Sequence, residues 1–86
     1  MINYTATVKS SCGLHARPAA DLMRTAKKFD SVIRIEKDGK SCNAKSLVEI
    51  LCLGVNCGDS VNIQCNGSDE VDAANALKTM IESNIE

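Results

Sequence analysis

His15 and Pro18 are the chain's single histidine and single proline, and both stand in the run Gly13-Leu14-His15-Ala16-Arg17-Pro18-Ala19. An imidazole titrates near neutral pH, so a nucleophilic ring nitrogen is available under ordinary conditions. The run follows a strand-like segment and precedes a helix-like one. That order places the ring at a helix mouth, where backbone N–H groups point outward unpaired and favour anions and phosphates. Arg17 adds a permanent cation whose guanidinium makes charge-assisted bonds to phosphate. Gly13 permits close backbone approach. A nucleophilic ring beside an anion site meets the needs of a phosphoryl acceptor. Read singly, each residue has a plainer role: His15 as a cap or surface residue, Arg17 as a solvated helix charge, Pro18 as an N-terminal cap.

Cys12, Cys42, Cys52, Cys57 and Cys65 are the other side chains with chemistry of their own. Their count is odd and no two are spaced C-x-x-C, which disfavours a disulfide framework or a zinc site, and no metal ligands are assigned. They are expected to be small buried apolar residues in a reducing cytoplasm. Cys12 stands apart, since it lies three residues from His15. A thiol beside a helix mouth and Arg17 is a candidate for reaction with oxidants, with an inert thiol as the alternative.

The elements that must position these residues are legible in the pattern. Ile2, Tyr4, Ala6 and Val8 alternate with polar residues as a half-buried strand. Pro18 fits a first helical turn, and Ala19, Leu22, Met23, Ala26 and Phe29 follow at helical spacing, predicting a helix from Ala16 to Lys28. Val32 to Ile35 reads as a second strand, turned by Asp38-Gly39 into a third over Lys40–Asn43. A short helix follows from Ser46 to Leu53. Ser46 and Glu49 form a capping-box pair at its start, and Gly54 closes it. Val61, Ile63 and Cys65 make a fourth strand. Ser68 is read as the cap of a last helix whose inner stripe is Val71, Ala74, Leu77, Met80 or Ile81, and Ile85. The predicted fold is α+β: an open-faced β-sandwich of order β-α-β-β-α-β-α, with a four-stranded antiparallel sheet and three helices on one face.

Eighty-six residues suit a single domain, 1–86. Ten Lys plus Arg against eleven Asp plus Glu argue against general nucleic-acid binding. No apolar run is long enough to span a bilayer, and Met1-Ile2-Asn3-Tyr4 lacks the regions of a signal peptide, so a cytoplasmic location is expected. No acid/base pair accompanies His15, which disfavours an enzyme acting on a small substrate. A ferredoxin-like metal chaperone would need two thiolates close together on a loop. A purely regulatory module, working through Ser46 rather than His15, is the other alternative.

The run from Gly13 to Ala19 resembles the active-site motif of the histidine-containing phosphocarrier family, HPr, and the resemblance extends over nearly the whole chain. Lys45-Ser46 is similar to that family's regulatory serine segment, and Leu53-Gly54-Val55 and Gly58-Asp59 to the turn after it. The resemblance implies a phosphoryl carrier of the bacterial sugar phosphotransferase system. His15 would accept phosphate from enzyme I and pass it to enzyme IIA domains, with Arg17 stabilising the phosphate and no cofactor involved. Ser46 would be the target of an ATP-dependent kinase and its phosphorylase, and the seryl-phosphorylated form would bind a catabolite-control transcription factor. Crh-type relatives lack the histidine, so His15 groups the chain with the carriers. Glu49 departs from a common glycine, and Leu47, Val48 and Leu51 replace a docking patch in which methionine is frequent. With Arg17, Arg24 and Lys27 around it, that trio would form an apolar patch rimmed by positive charge, unless Leu47 and Leu51 are simply core. A monomer is expected.

Overall fold

The structure is a computed structural model and describes residues 1–9, 13–14 and 16–82. His15 and Cys12 therefore lie outside the described residues, as does Ile85 of the expected inner stripe. The elements run β1 (Ile2–Thr7), α1 (Ala16–Ala26), β2 (Val32–Lys37), β3 (Lys40–Asn43), α2 (Leu47–Leu53), β4 (Ser60–Asn66) and α3 (Glu70–Ile81). The sheet order is β1-β4-β2-β3 with every pairing antiparallel. This is the α+β arrangement predicted, in the predicted order.

Period-two burial shows how the sheet works. Ala6, Ile33, Ile35, Cys42, Val61, Ile63 and Cys65 are buried, while Asn3, Thr5, Arg34 and Asn43 on the opposite face are exposed. Register brings Ile35 of β2 opposite Ile63 on one side and Cys42 on the other, so the inner face is a continuous aliphatic layer. Leu22 of α1, Ile50 of α2, and Leu77 and Ile81 of α3 close over it, and all are buried. Tyr4 adds a polar tie, its hydroxyl donating to the Ala74 carbonyl at 2.8 Å. The outer face is polar: the Asn62 amide donates to Asn3 Oδ1, and Gln64 Nε2 to Asn62 Oδ1 at 3.1 Å.

Three local expectations are corrected. The first helix stops at Ala26 rather than Lys28, because Lys28 and Phe29 donate to Thr25 and Ala26 three residues back, tightening the chain out of the α-helix. The last helix is preceded by Asp69, not by a Ser68 cap. The Asp69 carboxylate turns away from its own helix and accepts from the backbone N–H groups of Asp30 and Ser31, at 2.8 and 2.9 Å, and from the Ser31 hydroxyl. Ser31 is fully buried, and its polar groups need a partner more than the solvated helix end does. Val71 is 59% exposed instead of inward-facing, and the buried stripe begins with Ala73 and Ala74.

Candidate functional site

The residues flanking His15 are held from both sides. On its N-terminal side, Leu14 is buried and donates its N–H to the Val55 carbonyl at 2.9 Å. Gly13 has φ +66°, and a Cβ there would overlap the Val55 carbonyl oxygen and lie 2.8 Å from Asn56 Cα. Only glycine fits this backbone contact. On the C-terminal side α1 begins at Ala16, with Arg17 exposed and Pro18 half-buried in its first turn. That turn carries no acidic side chain, so its outward N–H groups keep their positive end uncompensated by a carboxylate of the helix itself.

The segment on which Gly13 rests has its own support. Lys37 Nζ donates to the Gly54 carbonyl at 2.9 Å and lies 2.9 Å from Asp59 Oδ2. Asp59 Oδ2 also accepts the Asn56 N–H at 2.8 Å. These bonds, the Asn56 N–H foremost and Lys37 next, hold the Asp59 carboxyl below its usual range. Gly54, left-handed at φ 71°, ends α2 and turns the chain into this segment. Lys37 and Asp59 were not identified from sequence. The Gly58-Asp59 pair signalled only a turn, and nothing in the spacing showed that Lys37, on another strand, would meet it.

The second set of residues centres on α2. Ser46 is its N-cap, and its hydroxyl accepts the Glu49 N–H at 3.4 Å. The reciprocal half of the expected capping box is absent. The Glu49 carboxylate accepts the Asn43 N–H at 3.1 Å, while the Ser46 N–H donates to the Asn43 carbonyl at 3.0 Å. The end of β3 therefore takes the carboxylate that a free helix would fold back. Lys45 Nζ donates to the Phe29 carbonyl at 2.7 Å, just past α1. That contact at one end and Leu14–Val55 at the other show that α1 and α2 run antiparallel, so Ser46 and the Gly13-Leu14 segment lie at opposite ends of α2.

Val48 and Leu51 are 69% and 39% exposed, whereas Leu47 is partly buried and packs against the core. The two helices touch one another. Arg17, Arg24 and Lys27 are exposed on α1 and just beyond it, but Arg24 is bridged to Asp21 at 2.8 Å, which offsets part of the expected positive rim. Cys42 and Cys65 are buried as expected, and burial pushes both thiols up. Cys52 and Cys57 are exposed, which corrects the expectation for them. Cys57 Sγ faces the Lys9 carbonyl at 4.0 Å. Among the described residues no group of three His, Cys, Asp or Glu side chains is placed to hold a metal ion. No helix among them is long and apolar enough to cross a membrane.

The model for the PTS HPr component phosphorylation site matches residues 2–83, and the chain belongs to this family of phosphocarrier proteins, whose members work with components of the phosphotransferase system and are not enzymes. It is 42% identical to an HPr-like protein Crh of Halalkalibacterium halodurans over 82 residues, 95% of this chain and 98% of the relative. Its fold matches HPr-C-His from Thermoanaerobacter tengcongensis with a TM-score of 0.94 at 48% identity, covering 96% of this chain and 93% of that one. It matches the phosphocarrier protein HPr from Bacillus anthracis with a TM-score of 0.91 at 39% identity, covering 93% and 95%. An HPr dimer from T. tengcongensis is also similar, with a TM-score of 0.76 at 48% identity and coverage of 95% and 94%.

Proposed function

We propose that this chain, acting as one domain over 1–86, is a phosphoryl carrier of the phosphoenolpyruvate-dependent sugar phosphotransferase system, with His15 as the acceptor. A nitrogen of the His15 ring attacks the phosphorus carried by enzyme I. The N–P bond forms as the donor's bond to phosphorus breaks, and the same exchange in reverse hands the group to an enzyme IIA domain. The observation that carries this reading is the pinned Gly13-Leu14 backbone leading into an α1 first turn with no carboxylate and with Arg17 exposed. A fixed approach, open helix N–H groups and a guanidinium favour a dianionic phosphate next to the ring. Partners would dock on Val48 and Leu51 with Leu47 beneath, and Arg17, Arg24 and Lys27 would set association rate and salt sensitivity. In this reading the carrier works in the cytoplasm as a monomer.

The test is incubation with enzyme I and phosphoenolpyruvate. We expect one acid-labile phosphate, absent in His15→Ala and acquired more slowly in Arg17→Ala. Normal phosphate uptake by His15→Ala would refute the assignment. A Leu47→Asp protein that folds and exchanges phosphate at the normal rate would refute the docking surface.

A second reading is favoured by the similarity to an HPr-like protein Crh. In it Ser46, half-buried at the α2 cap, is the main phosphorylation site, served by an ATP-dependent kinase and its phosphorylase. The seryl-phosphorylated form would then engage a catabolite-control transcription factor. The readings separate cleanly. Loss of sugar-dependent phosphoryl flow in His15→Ala supports the carrier, and an unchanged phenotype with a defect confined to Ser46→Ala supports the regulator.

A further inference from the structure

A cleft between β3 and α2 is lined by Lys40, Ser41, Cys42, Glu49, Cys52 and Leu53. Cys42 and Cys52, ten positions apart on different elements, both line it, a shared cleft that the cysteine spacing does not reveal. Cys42 lies buried on the strand side, and Cys52 is exposed on the helix side. Glu49 relates the two. It is anchored to β3 by accepting the Asn43 N–H at 3.1 Å, and Cys52 lies three residues on, on the same helical face. Glu49 and Cys42 face the same cleft.

We propose that Cys42 and Cys52 form a reversible intramolecular disulfide when the protein meets a hydroperoxide. The exposed Cys52 thiolate attacks one peroxide oxygen and the O–O bond breaks. With hydrogen peroxide as oxidant, Cys52 becomes a sulfenic acid and the departing hydroxide leaves as water after taking a proton. Cys42 sulfur then attacks the sulfenic sulfur. The S–S bond forms, the S–O bond breaks, and the Cys42 proton leaves with the hydroxyl group as a second water. One peroxide is reduced and two thiols are oxidised. The burial that disfavours the Cys42 thiolate makes Cys42 the resolving partner and Cys52 the attacking one. In a reducing compartment such a bond is transient, and thiol reductants restore the open cleft. The link would tether α2 to β3 at a cleft that neither Gly13 nor Leu14 lines.

The experiment treats the reduced full-length protein with hydrogen peroxide, alkylates the remaining thiols, and maps the digest by mass spectrometry. The expected product is a monomeric chain lighter by two hydrogen atoms, with the Cys42 and Cys52 peptides joined. Dithiothreitol should reverse it. Cys52→Ser, an exposed and conservative change, should lose the link, while Cys57→Ser and Cys12→Ser keep it. Cys42 that remains fully alkylatable while Cys52 proceeds to sulfinic acid or bridges two chains would overturn the proposal. So would an internal link that survives in Cys52→Ser.

Discussion

Gly13 and Val55 are in backbone contact so close that no other residue fits at position 13. The Leu14 N–H bonds the Val55 carbonyl, and the space for a Cβ on Gly13 is already filled by that oxygen and by Asn56 Cα. Gly13→Ala combines a left-handed backbone cost of about 1–2 kcal/mol with an overpacking cost of about 1–3 kcal/mol. The expected loss is roughly 2–5 kcal/mol, and Tm should fall by more than about 8 °C in a domain this small. Calorimetry checks it. A Gly13→Ala protein that melts within a degree of wild type would show that the contact can relax freely.

Lys37 supports the same contact from below, through the Gly54 carbonyl and Asp59. Lys37→Met keeps the aliphatic stem and removes the charge. The Val55–Asn56 segment should loosen, and the Leu14 amide, which donates to Val55, should exchange with solvent severalfold faster than in wild type. Amides of the central strand β4 should not change. Hydrogen exchange read residue by residue distinguishes this local loosening from a global loss of stability.

Most of the architecture was legible because burial in this chain follows strict local periods. Ile33 and Ile35, or Val61 and Ile63, announce their strands, and Asp38-Gly39 announces its turn, where Asp38 has φ +52°. Errors arose where a side chain answers a distant backbone. Asp69 serves Ser31 across 38 positions, and Glu49 serves Asn43 on β3. Neither partner is visible in a window the length of a helix turn. The same holds at the candidate site. The motif around His15 and Arg17 is contiguous and readable, whereas Lys37, Val55 and Asp59 converge on it only through the fold. Cys52 and Cys57 depart from the expectation because it rested on residue type alone: Cys52 lies off the Leu47-Ile50-Leu53 stripe of α2, and Cys57 sits in a turn, which has no period.

Alkaline stability should depend on Tyr4. Burial first, and then the nearby Cys65 and Glu82, push the phenol well above its ordinary value of about 10, so the folded state favours the neutral hydroxyl that donates to Ala74. The corresponding stabilisation is complete below the unfolded value and is lost as pH rises from there toward the folded one. Cys42 and Cys65, also raised, add the same sign from about pH 9 upward. Tyr4→Phe should lower stability at neutral pH by about 0.5–1.5 kcal/mol and flatten the decline above about pH 10. Denaturant midpoints measured against pH in the two proteins provide the comparison, and parallel alkaline limbs would count against Tyr4.

The acid side has the opposite sign. Bonds from Ser31 and Asp30 hold the Asp69 carboxyl low, and bonds from the N-terminal amine and the Gly67 N–H do the same for Glu70. With Asp59 they supply stability that is present above the unfolded carboxylate values and lost as pH falls through the lower folded ones. Asp69→Asn retains the shape but removes the charge-assisted bonds to the buried Ser31. It should lower Tm at neutral pH and flatten the decline between about pH 5 and pH 2. A variant whose Tm falls with acid as steeply as wild type would exclude Asp69 as a contributor.

Phosphorylation at Ser46 sets two local fields against each other. The α2 N-terminus favours roughly two added negative charges by ~0.3–1 kcal/mol. Glu49 opposes them, and at ~6 Å with an effective dielectric of 20–80 the repulsion is roughly 0.7–3 kcal/mol per unit of phosphate charge before screening. The structure removes two means of relief. The Glu49 carboxylate is held against the end of β3 by the Asn43 N–H, and the Lys45 ammonium is engaged 2.7 Å from the Phe29 carbonyl. The repulsion therefore outweighs the dipole, and phosphorylation should stabilise this domain less than it would with an uncharged residue at position 49, or destabilise it. Glu49→Gln keeps a side-chain acceptor for Asn43 and removes the charge. The Tm shift on Ser46 phosphorylation should be more positive in Glu49→Gln than in wild type, and the gap should shrink with added salt. Equal shifts in the two proteins at low ionic strength would show that Glu49 does not oppose the phosphate.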